Sequence, residues 1–169
     1  VDSTEERPWR VVVGSDDAGE QLARLLADDL SHDARVASVT DAGFDPASGE
    51  SYPDVAARAA HLVATGAADR ALLVCGTGLG MAITANKVPG VRAVTAHDPF
   101  SVERSVLSND AQVLCLGQRV VGPELARLLV RQWTGHRFDP ASPSAAKVAA
   151  ISAHERAALG TGTSTETPA

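Results

Sequence analysis

One cysteine stands where the chain could do chemistry. Leu72-Leu73-Val74-Cys75 is an apolar run that delivers a thiol to Gly76-Thr77-Gly78-Leu79-Gly80. Glycines let a backbone approach a ligand closely. A helix opening at such a turn leaves its first N–H groups without partners, facing any anion that sits there. The same positive helix end favours a thiolate over a thiol. A thiolate base beside fixed N–H donors is what enolisation requires. One group takes a proton from carbon, and the donors of residues 76–80 hold the enediolate oxygens. The alternative is a structural thiol next to an ordinary glycine turn. A nucleotide site is a further option, but this turn has neither Gly-x-Gly-x-x-Gly spacing nor the lysine of a P-loop.

Two other segments carry candidate groups. Gly14-Ser15-Asp16-Asp17-Ala18-Gly19 puts adjacent carboxylates at the end of another β-branched run, where Asp16 and Asp17 could bind sugar hydroxyls or a metal. Acidic residues capping a helix start would account for them equally. Ala96-His97-Asp98-Pro99 is followed by Glu103-Arg104 and Ser108-Asn109-Asp110. His97 could act as an acid or bind phosphate, or lie on the surface. Arg104 could reach an anion or pair with Glu103. Asn109 could bond a substrate oxygen or cap a turn. Cys115, inside Val113-Leu114-Cys115-Leu116, reads as a core thiol, and Trp9 and Trp133 as packing residues.

These segments need a scaffold. The patterning predicts strands over Arg10–Gly14, Arg35–Val39, Ala71–Cys75, Val91–Thr95 and Gln112–Leu116. It predicts helices over Gly19–Leu30, Tyr52 to about Thr65, Met81–Lys87, Pro99–Leu107, Pro123–Trp133 and Ser144–Leu159, with Asp41–Ser51 a loop. Alternating strands and helices imply an α/β fold: a three-layer, Rossmann-like arrangement of a five-stranded parallel sheet with helices on both faces. Ligands in such sheets bind outside the carboxyl ends of the strands, where residues 14–19, 75–80 and 95–99 fall. Residues 1–9 and 160–169 read as a polar N-terminal tail and a disordered C-terminal tail around one domain, 10–159.

Composition narrows the function classes. The chain of 169 residues has net charge −6 and no Lys/Arg block, which argues against nucleic acid or an anionic membrane as its partner. No apolar run is long enough to span a bilayer, and the polar N-terminus is unlike a signal peptide, so a cytoplasmic protein is expected. Cys75 and Cys115 lack metal-ligand spacing and would remain thiols in a reducing compartment.

Together the motifs resemble the ribose-5-phosphate isomerase B / galactose-6-phosphate isomerase family. The resemblance spans roughly residues 10–158. It rests on Gly-x-Asp-x-Ala-Gly at 14–19, Tyr52-Pro53-Asp54, Cys75-Gly76-Thr77-Gly78-x-Gly80, Ala85-Asn86-Lys87, Ser108-Asn109-Asp110 and Gly117-x-Arg119-Val120-Val121-Gly122. It implies a Rossmann-like fold, no metal or other cofactor, and a homodimer, with tetramers an option, whose sites draw on both subunits. It also implies Cys75 as base, an anion hole from Gly76, Gly78, Leu79 and Gly80, and a Thr77 hydroxyl that helps move protons.

Three departures from the pentose enzymes stand out. Asp16-Asp17 replaces Asp-His, Ser108 replaces the ring-opening His, and the C-terminal segment offers only Lys147 where two Arg hold phosphate. The branch that acts on D-erythrulose 4-phosphate is the most similar, through Thr40-Asp41-Ala42-Gly43, Asn86-Lys87-Val88-Pro89-Gly90 and His97-Asp98-x-x-Ser101-x-Glu103-Arg104. Chemistry points the same way: a tetrose 4-phosphate has O4 blocked and cannot close a five-membered ring, so its isomerase needs no ring-opening acid. The expected activity is therefore aldose–ketose isomerisation of a small sugar phosphate. A ribose-5-phosphate isomerase and a non-catalytic sugar-phosphate-binding protein are the rivals.

Overall fold

β-branched and leucine-rich runs form the sheet. In a computed structural model that describes residues 7–160, they are β1 (Trp9–Ser15), β2 (Val36–Asp41), β3 (Arg70–Cys75), β4 (Ala93–Thr95) and β5 (Val113–Gly117). All pair in parallel, in the order β2-β1-β3-β5-β4. The helices are α1 (Glu20–Ser31), α2 (Tyr52–Ala64), α3 (Leu79–Ala85), α4 (Pro99–Leu107), α5 (Pro123–Gly135) and α6 (Ala145–Gly160). The expected three-layer architecture is the observed one.

Alternation along the strands assigns each side chain to one of two cores. Leu72 and Val74 of β3 face α1, α4 and α5, where Leu26, Val106, Leu129 and Trp133 are buried. Ala71, Leu73 and Cys75 face α2 and α3, against Val55, Ala59, Met81 and Ala85. Cys115 shares that second face. All six residues of β3 are buried, so the central strand is anchored on both sides. A buried Leu contributes on the order of 1.5–3 kcal/mol.

Several boundaries shift for identifiable reasons. β1 begins at Trp9, whose N–H donates to Arg35 O (2.7 Å) and whose indole N–H donates to Thr134 O (2.9 Å). β2 runs two residues further, to Asp41. α3 opens at Leu79 rather than Met81, because Gly78 adopts φ +79 and accepts from Ala82 N–H at 3.2 Å. β4 is shortened because Asn86 exchanges hydrogen bonds with the backbone of Ala93, at 2.8 Å each way. Gln112 falls outside β5, its side chain bonding Arg92 N–H (2.8 Å) and Gly90 O (3.1 Å). A short 3-10 turn, Pro46–Ser48, lies within the expected loop. Residues 1–6 and 161–169, most of both expected tails, lie outside the described residues. No described helix is long and apolar enough to cross a membrane.

Candidate active site

Strand order reverses between β1 and β3, which opens a crevice at their carboxyl ends. Cys75 ends β3 on one side of it, and Asp16 follows β1 on the other. The Cys75 side chain is buried and accepts a hydrogen bond from Gly78 N–H at 3.1 Å. Such a bond is stronger to a charged sulfur than to a neutral one. The chain then curls over the sulfur. Gly78 is packed so closely on β5 that a Cβ would lie 3.0 Å from the Leu116 carbonyl carbon. Leu79 N–H makes only a long contact, 3.4 Å, with Thr77 Oγ1. The N–H groups of Gly76, Thr77 and Gly80 have no acceptor among the described residues. Thr77 and Leu79 are exposed at the mouth. The turn therefore presents a thiol beneath outward-facing N–H donors.

The neighbours of this turn hold it from below. Gln118 N–H donates to Cys75 O (2.9 Å), and Arg119 N–H to Gly76 O (3.0 Å). Gly19 lies against the Val74–Cys75 peptide, where any Cβ would be 2.2 Å from Val74 O. Asp16 Oδ1 accepts from Gly19 N–H at 3.0 Å, so this carboxylate both closes the turn that leads into α1 and borders the crevice. Burial, opposed by that bond, pushes the Asp16 carboxyl above the usual carboxylate range. Asp17 is exposed. His97 Nε2 accepts from Gly117 N–H at 3.0 Å, which leaves only Nδ1 to carry a proton outward. Burial lowers the pKa of His97, and Asp98 opposes the shift. Asp98 accepts from Ser101 N–H (2.8 Å) and caps α4.

Four expected site residues are elsewhere. α4 runs back from the carboxyl ends of the strands, so its last turns lie toward their amino ends. Arg104 there pairs with Glu103 (2.8 Å) and contacts Ser108 Oγ (3.3 Å), while its Nε is buried with no partner among the described residues. Asn109 donates to Arg104 O at 3.2 Å, and its carbonyl accepts from Arg92, just before β4. Ser108 and Asn109 are thus about 16 Å from the Cys75 turn, the length of a five-residue strand. Lys147 is exposed on the first turn of α6, a helix whose Glu155 accepts from Gly90 N–H (2.9 Å), also on the amino side of β4. Within one chain the structure brings together Cys75, Gly76, Thr77, Gly78, Leu79, Gly80, Asp16 and His97, with Asp17 at the edge. It leaves Arg104, Ser108, Asn109 and Lys147 apart. Asp16, Asp17 and His97 form no metal-holding group, and no cluster of three such ligands occurs among the described residues.

Two further residues border the turn. The Arg119 side chain lies against Gly76, its guanidinium nitrogen 3.3 Å from where a Cβ would be. It has no carboxylate partner among the described residues. The Tyr52 ring covers Gly80, whose Cβ would be 2.4 Å from ring carbon Cε2. Their signals were present in Gly117-x-Arg119 and Tyr52-Pro53-Asp54. Tyr52 read as a helix start, however, and nothing local to Arg119 placed it beside Gly76.

Fold and site define a class: a doubly wound α/β protein whose crevice, at the strand-order reversal, holds a thiol under a rim of N–H donors. The chain belongs to the ribose/galactose isomerase family, whose model matches residues 11–151. That membership makes it a sugar isomerase by class. It is 61% identical over 149 residues to D-erythrulose-4-phosphate isomerase 2 of Mycolicibacterium smegmatis, covering 88% of this chain and 98% of that protein. It is 43% identical over 147 residues to D-erythrulose-4-phosphate isomerase of Pectobacterium atrosepticum, covering 86% and 94%. Among solved structures, ribose-5-phosphate isomerase B of Clostridium thermocellum superposes with a TM-score of 0.80 at 38% identity, covering 88% and 98%.

Proposed function

We propose that this chain interconverts D-erythrulose 4-phosphate and D-erythrose 4-phosphate, with Cys75 as the base. The observation that carries the chemistry is the Cys75 sulfur, bonded to Gly78 N–H at the floor of the turn. The thiolate takes a proton from C1 of the ketose. The electron pair moves into a C1–C2 double bond, and O2 becomes the enediolate oxygen held by the N–H groups of residues 76–80. The same proton returns to C2, and the O1 hydroxyl proton passes to O2, which leaves the aldehyde at C1. Thr77 Oγ1 stands at the mouth to relay that second proton. Asp16 accepts a bond from a substrate hydroxyl. Arg119 is the cation nearest the turn and is our candidate for the phosphate, since charge-assisted bonds to phosphate are the strong ones.

Ser108, Asn109, Arg104 and Lys147 reach this chemistry from a second copy. A homodimer that sets the amino edge of one sheet against the carboxyl edge of the other completes each site. Two such dimers forming a tetramer are compatible with this. The two thiols suit a reducing cytoplasm. A serine at 108 is a poor acid–base group, so a cyclic pentose phosphate is handled badly.

A coupled assay of D-erythrulose 4-phosphate, D-ribulose 5-phosphate and D-ribose 5-phosphate tests the substrate. The tetrulose phosphate has the highest kcat/KM. If both pentose phosphates outperform it, the enzyme is a ribose-5-phosphate isomerase, the reading favoured by the likeness to the Clostridium thermocellum structure. Cys75→Ser folds normally and loses about 10²–10⁴-fold in turnover. Mixing Cys75→Ser chains with Asn109→Ala chains restores about a quarter of wild-type activity through mixed dimers. Absence of that recovery places each site within one chain.

A further inference from the structure

The end of the edge strand β4 and the residues just after it make two side-chain contacts, one with the Cys75 turn and one with the end of β5, that catalysis, as described above, does not use. Thr95 is the last residue of β4, and His97 follows two residues later. Thr95 Oγ1 donates to Gly78 O at 3.0 Å. His97 Nε2 accepts from Gly117 N–H at 3.0 Å. β4 ends its pairing at Thr95, opposite Cys115. Beyond that point the His97 ring takes the N–H of β5 that a longer strand would take with a carbonyl.

Each contact fixes a donor or a support of the turn. The Gly78–Leu79 peptide is planar, so its C=O and N–H point in opposite directions. Holding Gly78 O on Thr95 therefore sets where Leu79 N–H points. That constraint matters at this position. Gly78 has φ +79, and a glycine changes conformation at little cost, so without Thr95 the 78–79 peptide is held only by the long Ala82 N–H bond to Gly78 O, at 3.2 Å. Gly117 is the floor beneath Thr77: a Cβ there would be 2.7 Å from Thr77 Cα. The next two N–H groups of the same segment, those of Gln118 and Arg119, hold Cys75 O and Gly76 O. Fixing Gly117 on His97 thus fixes the segment that supports the thiol and carries Arg119.

We propose that Thr95 and His97 are positioning residues, a brace from β4 that aims the Leu79 N–H and seats the Cys75 turn for the enediolate. This rests on the reading that the Cys75 turn is the reaction centre. Neither side chain touches substrate. Their effect appears in the transition state, where the aim of the donors counts, more than in substrate binding.

The test pairs isosteric and conservative variants, assayed with D-erythrulose 4-phosphate beside Cys75→Ser. Thr95→Val removes the hydroxyl and keeps the shape. It lowers kcat by about tenfold or more while KM stays within about twofold. Thr95→Ser restores the hydroxyl and most of kcat. His97→Gln can place an acceptor where Nε2 was and retains more kcat than His97→Asn, whose oxygen reaches only the Nδ1 position. A hydroxamate that mimics the enediolate loses affinity for Thr95→Val in proportion to kcat. Equal kcat in wild type and Thr95→Val, or losses in Thr95→Val that Thr95→Ser does not reverse, overturn the brace. Should Thr95→Val fail to fold, the glutamine–asparagine comparison decides, and equal kcat in those two overturns it. If Cys75→Ser itself retains full turnover, the reaction centre is elsewhere and the brace falls with it. If only Cys75→Ser is impaired, the reaction centre stands and the brace alone is refuted.

Discussion

Gly19→Ala adds one methyl group where the structure has no room. Gly19 precedes α1 with φ −112 and ψ −4, a bridge-region conformation that is open to alanine, so backbone conformation is not the main obstacle. On conformational entropy alone the change stabilises by about 0.4–1 kcal/mol. The collision decides otherwise. The new Cβ would lie 2.2 Å from Val74 O, 2.4 Å from Val74 C and 2.8 Å from Cys75 N. A carbon–oxygen contact relaxes at about 3.3 Å, so α1 and the end of β3 must separate by about 1 Å. The atoms struck are backbone of the central strand and cannot rotate away. Overpacking costs about 1–3 kcal/mol, and a rigid backbone partner places this site at the upper end. The net loss is about 2 kcal/mol, or a fall in Tm of about 4–8 °C for a domain of this size. Because Cys75 N moves, kcat falls by up to about 10²-fold even well below Tm. Calorimetry gives Tm, and the tetrulose phosphate assay at 25 °C gives kcat. An unchanged or raised Tm with kcat within about twofold of wild type would refute the packing argument.

Other outcomes follow from the two cores and the charged groups. Cys115 is fully buried and burial raises its pKa, so in the native state iodoacetamide labels Cys75 and leaves Cys115 unmodified until the chain is unfolded. Cys115→Ser places a hydroxyl in an apolar core at about 1–3 kcal/mol, which lowers Tm but leaves kcat within about twofold. Asp16 has a folded pKa raised by burial, so its ionised form opposes folding at neutral pH. Asp16→Asn therefore raises Tm at pH 7 while lowering activity, and the gap in Tm closes as pH falls through the raised folded value of Asp16. Asp69 is the opposite case: Arg10 and Arg7 hold its pKa down to about 2. Its stabilising contribution is complete above the ordinary carboxylate range and is lost as pH falls toward 2, so Asp69→Asn lowers Tm at pH 7 and converges with wild type in strong acid.

Local pattern was enough to read the five strands, the six helices, and the placing of Cys75, Asp16 and His97 at strand ends. Each of those depends on neighbours a few residues away: periodicity of 2 or 3.6, a proline at a helix start, a glycine after an apolar run. Which residues of different strands share a face needed the register: Leu73 pairs with Cys115, so Cys75 and Cys115 lie on one face. What local pattern could not supply was how distant segments meet. Arg119 lies beside Gly76 because β5 pairs with β3, a contact between residues more than forty apart in the chain. Ser108, Asn109 and Arg104 were grouped with the cysteine by motif. The direction of α4 carries them to the other end of the sheet. The sequence offered His97 as an acid, a phosphate contact or a surface residue, and could not say that its Nε2 is taken by Gly117 N–H, leaving Nδ1 alone for any such role. A side chain's type states which bonds it can make. Only the tertiary structure decides which of them are already taken, because hydrogen-bond partners are set by packing between elements that sequence spacing does not encode.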